Sequence, residues 1–344
     1  MFWYAGRDSN PQPSEPESDA LSIEPPAHQP SYYSNLFRIC KARNAFFPKQ
    51  VRKLQNIDFF AEILYNNHIL LLLEARNIKK GYDGMFSVNH FIWLGICIVV
   101  MAAAFYYLKK YKPSLTSVLT VCCALCILSE VTKTFSVLEM VPTSDGSKMH
   151  AYLEMGQVPL HLCSIQIAFI FFVRFTKNQQ AREKLLAFMY PSCILGAFFA
   201  MMIPTIFSDT VPVARAFTHP QAYQYFLYHA MLIVLGVYIV MSNEIQLKTK
   251  HYLSSLGILG VLGFASIYLN SIFAVPVYES GALVSVEYTT NFLFTHEPPI
   301  AIPLTEKWHW FLYLGIIGLL AVVLIGIFYM PFILKERKEK KTAV

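Results

Sequence analysis

The chain has 344 residues, 55% hydrophobic and only 15% charged, with a formal net charge of +6 and a mean hydropathy of +0.42. Soluble domains carry nearer a quarter charged residues, so this composition excludes a soluble globular fold as the main architecture. Nor does the positive balance require nucleic acid, because basic loops facing anionic lipid account for it.

Residues 1–30, MFWYAGRDSNPQPSEPESDALSIEPPAHQP, are rich in Pro, Ser and Glu and have no apolar period. That composition predicts disorder. Asp8-Ser9-Asn10-Pro11 can also be encoded by GATTCGAACCC, the complement of the T-arm of a transfer RNA gene, as if a reading frame had run through such a gene. Residues 31–84 continue irregular and basic, and their apolar run Ile69–Leu73 is too short to span a bilayer. The codons of Lys79-Lys80-Gly81 can spell a ribosome-binding sequence ahead of Met85. The native start is therefore expected at Met85, with the first membrane helix carrying the targeting information. Residues 1–84 read as a disordered or spurious extension.

Seven apolar blocks follow, at about 90–108, 114–140, 157–174, 185–206, 223–241, 252–275 and 309–330. Stretches of about 20 apolar residues span a bilayer as helices. The fold class is thus all-α, a polytopic membrane helix bundle of about seven transmembrane helices over residues 85–331. Basic residues cluster in alternate loops: Lys109/Lys110/Lys112, Arg174/Lys177/Arg182/Lys184, Lys248/Lys250 and the tail at 332–344. Between them fall only Lys148, Arg215 and Lys307, in loops that also hold acidic residues. The positive-inside rule places the N-terminus of the bundle outside and the C-terminus in the cytoplasm. A multi-pass protein of a bacterial plasma membrane is expected.

Most of the seven cysteines lie inside apolar blocks, and no paired set lies in the outer loops, so no disulfide framework is expected. Cys123-x-x-Cys126 in the second block lacks further soft ligands, and neither a metal nor a cofactor is expected. Cys123, Cys126, Glu130 and Thr134 share one helical stripe. An intramembrane acid faces a bundle interior or a wet cavity and finds a partner. Glu130 and Lys133, three apart, read either as a packing ion pair with Lys133 snorkelling outward or as part of a site.

The third block opens with VPLHLC, Val158–Cys163. Pro159 suits a first helical turn, and Cys163 would lie within the first two turns, where the helix dipole favours a thiolate. His161, two residues away, shares no helical face with Cys163 unless Pro159 leaves the helix start unwound. A buried cysteine beside an interfacial histidine remains the plain alternative. Tracing helix directions puts Glu130, His161, Cys163, His229 and Asn270 all in the outer half of the bilayer, while the inner halves are nearly all apolar. One polar cavity opening toward the outer leaflet is the simplest account.

At VPLHLC the chain resembles the YwaF-like bacterial integral-membrane proteins, in which a proline-leucine-histidine-leucine-cysteine run opens a central helix. The resemblance spans roughly Met85 to the C-terminus. It includes Glu130, Tyr228-His229, and Asn291-Phe292-Leu293-Phe294 with Pro298. Those proteins are similar in turn to a mammalian transmembrane acyltransferase family that remodels ether phospholipids through a cysteine. The resemblance implies cysteine-dependent acyl transfer, with Cys163 at the matching position, and membrane phospholipids and lysophospholipids as partners. It carries over neither a substrate nor residues 1–84.

On that reading Cys163 attacks an acyl ester and a lysolipid hydroxyl takes the acyl group from the thioester. His229 is the candidate base, and Glu130 would orient it. Asn270, Asn291 or His161 would donate to the developing oxyanion. Tyr228 and Gln166 join the two asparagines as expected substrate-binding residues. A transporter or flippase would need polar lining through to the inner side and broken or repeated helices. A scaffold or receptor would use the outer loop Val277–Lys307, and a hydrolase would use the same residues with water as acceptor.

Overall fold

The computed structural model describes residues 86–143, 146–209, 211–279, 282–298, 304 and 306–342. The expected extension at 1–84 lies outside the described residues. The seven apolar blocks appear as α1 (Val88–Tyr111), α2 (Leu115–Val137), α3 (Gln166–Phe175), α4 (Gln179–Met202), α5 (Pro220–Met241), α6 (Thr249–Ile272) and α7 (Lys307–Thr342). Six of them are long and apolar enough to cross a membrane. Local chemistry sets where several begin. Ser87, Ser114 and Asn178 accept hydrogen bonds from the backbone N–H groups of His90, Ser117 and Ala181, satisfying donors that open helix ends leave free. Pro220 occupies the first position of α5, where its missing N–H costs nothing.

The third block departs from expectation. α3 has only ten residues, about 15 Å of helix against a hydrocarbon core of about 30 Å. Pro159 does not start it. Val158, just before the proline, is extended at φ −61° and ψ 134°, the conformation a following proline imposes. Residues 158–165 then run through bends and turns instead of helix. Irregular backbone survives at membrane depth only where protein satisfies its polar groups. Gln166 Nε2 donates to the Leu162 carbonyl at 3.2 Å, and the Tyr228 hydroxyl donates to the Cys163 carbonyl at 2.8 Å.

α4 and α5 form the centre of the bundle. Half of each of their apolar spans is buried, against 11% for α6 and α7, whose bare apolar faces are left for lipid. Gly236 makes the central pair possible: a Cβ there would stand 2.7 Å from Ile194 Cγ1 and 3.0 Å from the Tyr190 carbonyl. Small residues permit this kind of approach between membrane helices. On one side of the pair, Leu115, Leu119, Ile170, Met189, Leu232 and Leu235 pack together. On the other, Trp93 of α1 stacks on Phe226 of α5 at 5.0 Å. Tyr329 of α7 donates to the Ala187 carbonyl at 2.8 Å and ties the outlying helices to α4.

The basic loops meet at one end of the bundle. There Glu244 accepts from the Leu115 N–H at 2.6 Å and lies 3.6 Å from Arg182, while Glu183 pairs with His251 at 2.8 Å. The Tyr238 hydroxyl donates to the Pro113 carbonyl. The opposite end carries two antiparallel hairpins that the all-α reading does not include. β1 (Glu139–Pro142) pairs with β2 (Met149–Tyr152), and β3 (Val275–Glu279) pairs with β4 (Ala282–Glu287). Gly146, at φ +68°, supplies the left-handed turn residue of the first.

Asn270 fastens the loop before α7 to α6. Its Nδ2 donates to the Phe292 carbonyl at 3.2 Å and to Thr295 Oγ1 at 3.0 Å. Its Oδ1 accepts from Thr290 Oγ1 at 3.0 Å and from the Phe292 N–H at 2.9 Å. Those four bonds exhaust an amide's capacity. Asn270→Ala orphans several buried partners at about 1–3 kcal/mol each. A clear drop in the thermal unfolding midpoint in detergent is the expected result, and an unchanged midpoint would contradict the clamp.

Candidate functional site

Along α5, Gln221, Gln224, Tyr225 and Tyr228 fall at i, i+3, i+4 and i+7, which puts them on one face. Three of them have identified partners across the bundle. Gln224 Nε2 donates to Ser129 Oγ of α2 at 2.7 Å. The Tyr225 hydroxyl donates to the Ala200 carbonyl of α4 at 2.6 Å. The Tyr228 hydroxyl holds the Cys163 carbonyl. A polar stripe on the most buried helix pair thus faces the break in the third block.

Cys163 lies in that break, three residues before α3. Its sulfur rests over Gly196 of α4: a Cβ there would come within 3.1 Å of Cys163 Sγ and 3.5 Å of Leu162 Cδ2. Among the six cysteines described, five are buried and Cys163 keeps partial exposure. Cys193, one turn from Gly196, donates its thiol to Gln166 Oε1 at 3.3 Å. Gln166 Nε2 also donates to Ser192 Oγ at 3.0 Å. Gly196→Ala is therefore expected to move the Cys163 sulfur and slow any thiol chemistry by about tenfold, a shift of about 1.4 kcal/mol. Thiol alkylation rates compared with the parent check this, and identical rates would contradict it.

On α2, Glu130 and Lys133 form the expected pair at 2.7 Å. Lys133 does not snorkel outward. Only 12% of its side chain is exposed, and Nζ donates to the Gln157 carbonyl at 3.1 Å, just ahead of the break. The lysine gains more from an otherwise unpartnered backbone carbonyl inside the bundle than from the headgroup layer.

The other expected site residues divide. His161 meets Phe292 edge-to-face at 5.2 Å, so the broken segment leans on the loop that Asn270 holds. The unwound start removes the constraint that would keep His161 and Cys163 on separate helical faces. His229 is buried, and its Nδ1 lies 2.6 Å from the Tyr225 carbonyl. A carbonyl only accepts, so Nδ1 carries the proton and Nε2 presents the lone pair. Its ring also neighbours those of Tyr225 and Tyr228 at 4.4 and 5.6 Å. Tyr228, one residue earlier, is the part of α5 that touches the Cys163 segment.

Three expected substrate-binding residues have their hydrogen bonds within the chain. Asn270 is saturated by its loop, and Gln166 has both amide protons and its oxygen engaged. Asn291 donates to the Glu297 carbonyl at 2.9 Å and accepts from the N–H groups of His296 and Glu297 at 3.1 and 3.3 Å, closing its own turn. Polar groups at membrane depth satisfy nearby backbone before they are available to a ligand. Sequence reasoning missed Gln221, Gln224, Ser129, Gly196 and Cys193. The spacing of glutamines and tyrosines on α5 was the signal for the first two. Gly196 offers none, because its role appears only when α4 meets the broken segment.

A model of the TMEM164 family matches residues 85–329 of the chain. The chain belongs to that family. The TMEM164 match opens at Met85, where the resemblance read from the sequence also begins. No curated protein and no solved structure gives a match. As a TMEM164 family member it is a multi-pass membrane protein, and the matched span takes in its apolar helices as far as residue 329 within α7. Among the described residues no group of three His, Cys, Asp or Glu side chains is arranged to hold a metal ion.

Proposed function

We propose that this TMEM164 family member is a phospholipid acyltransferase of the bacterial YwaF-like branch, working through a Cys163 thioester at the outer leaflet of the plasma membrane. The observation that carries the reading is the position of Cys163. It is the partly exposed cysteine among the six described, and it lies in an unwound segment within the polar layer.

The chemistry follows from that position. His229 Nε2 takes the thiol proton, and the sulfur attacks the carbonyl carbon of an acyl ester. The carbon–sulfur bond forms, the ester carbon–oxygen bond breaks, and a lysolipid leaves with the proton. An acceptor hydroxyl then attacks the thioester, the carbon–sulfur bond breaks, and the thiol recovers its proton. Tyr228 and Gln166 position the segment through its carbonyls, while the Glu130–Lys133 pair anchors it at Gln157. The acyl chains would lie along the apolar faces of the neighbouring helices.

The test is covalent capture. Membranes containing the protein are given a phospholipid with a clickable acyl chain, and the adduct is mapped by mass spectrometry. A hydroxylamine-labile acyl group on Cys163 supports the reading. A folded protein with no adduct across several lipid classes would shift the weight to lipid transport or scaffolding.

A further inference from the structure

Gln221 is the member of the α5 stripe whose side chain has not been accounted for. The residue is 6% exposed, and its Oε1 is fully buried with no hydrogen-bond partner among the described residues. A buried amide oxygen without a donor is costly and uncommon, so natural proteins rarely keep one without use. Its spacing places it on the face shared by Gln224, Tyr225 and Tyr228, whose partners lie on α2, on α4 and in the Cys163 segment. Gln221 is therefore the member of that face nearest the N-terminus of α5. Seven residues separate it from Tyr228, about 10 Å of helix toward the end opposite the basic loops.

We propose that Gln221 is a headgroup-recognition residue, accepting a hydrogen bond from a hydroxyl of the lipid whose ester or lysolipid hydroxyl lies beside Cys163. This rests on the lipid reading above. With the ester at the thiol, the headgroup extends outward and reaches the level of Gln221. The amide oxygen can only accept, so it selects a ligand that donates. Glu130, the carboxylate of α2, is already paired with Lys133, which leaves no spare anion on that helix for an ammonium group. A neutral hydroxyl, as in a glycerol headgroup, fits; a choline headgroup, which has no donor, leaves the oxygen unsatisfied. A site built to hydrogen-bond a hydroxyl discriminates strongly against ligands that lack one.

The experiment compares the parent protein with Gln221→Leu and the more shape-conserving Gln221→Met, in detergent. Thermal stabilisation is measured with lysophosphatidylglycerol and with lysophosphatidylcholine of the same chain. The parent is expected to bind the glycerol lipid about tenfold more tightly, the order expected for one buried hydrogen bond. Both variants should lose that preference. Both should also unfold about 2–4 °C higher without lipid, because the orphaned oxygen is gone. No preference in the parent, or a preference that survives both substitutions, overturns the proposal. The readout is independent of chemistry. A preference without any Cys163 adduct keeps the headgroup site and removes the thioester reading, and an adduct without preference does the reverse.

Discussion

Cys163→Ser is expected to abolish the hydroxylamine-labile adduct and to cut acyl transfer by at least about a thousandfold, the order lost when a nucleophile is deleted from a covalent mechanism. Once a base takes its proton, a sulfur attacks an acyl carbon far more readily than a serine oxygen of higher basicity, so the first step loses its attacking group. The substitution should fold normally, because the side chain shrinks slightly over Gly196 and the Tyr228 bond goes to the backbone carbonyl, which serine keeps. Cys126→Ser is the matched control. Cys126 is fully buried in the apolar cluster of α2, α4 and α5, away from any exposed surface, and its replacement should leave activity nearly unchanged. Turnover within a few-fold of the parent in Cys163→Ser, or a comparable loss in Cys126→Ser, would end the assignment.

The second large effect belongs to His229. His229→Ala is expected to lower turnover by about 10²–10⁴-fold, the range a positioned general base supplies. Its tautomer is fixed. The hydrogen bond from Nδ1 to the Tyr225 carbonyl locks the ring and leaves Nε2 as the proton acceptor. The discriminating measurement is the single-turnover rate of adduct formation on Cys163 together with the thermal midpoint. A lost base slows the first step in the protein that remains folded, whatever the cavity left by the buried ring does to the midpoint. A packing histidine would lower the midpoint and leave the rate of the remaining folded protein intact.

Much of the architecture was legible before folding. The apolar blocks are long, their ends coincide with Ser, Asn and Pro caps, and the lysines and arginines alternate between loops. These are local or compositional signals, and every helix but α3 begins within about six residues of where they place it, while α7 runs on to Thr342 through the stretch expected as a basic tail. The third block was misread because a hydrophobic run does not reveal whether its backbone is helical. That depends on which side chains offer hydrogen bonds to the backbone from elsewhere, here Tyr228 from 65 residues away and Lys133 from 24. The exposed hairpins β1–β2 and β3–β4 escaped notice for a related reason: they are short and bury little, so no apolar period marks them.

The candidate site shows the same division. Sequence alone picked out Glu130, His161, Cys163, His229 and Asn270 as polar or reactive groups at one depth, because charge and reactivity are expensive in lipid wherever they occur. It could not say which amides were free. Asn270, Asn291 and Gln166 looked like Gln221 on paper, yet the first three have their hydrogen bonds filled and the last has a buried oxygen without a partner. Gly196 likewise became informative only through the sulfur packed against it. Residue type and spacing determine that a membrane bundle forms and where its polar layer lies. Which polar atoms remain available is decided by packing, because hydrogen-bond capacity is consumed by neighbours that only the tertiary structure brings together.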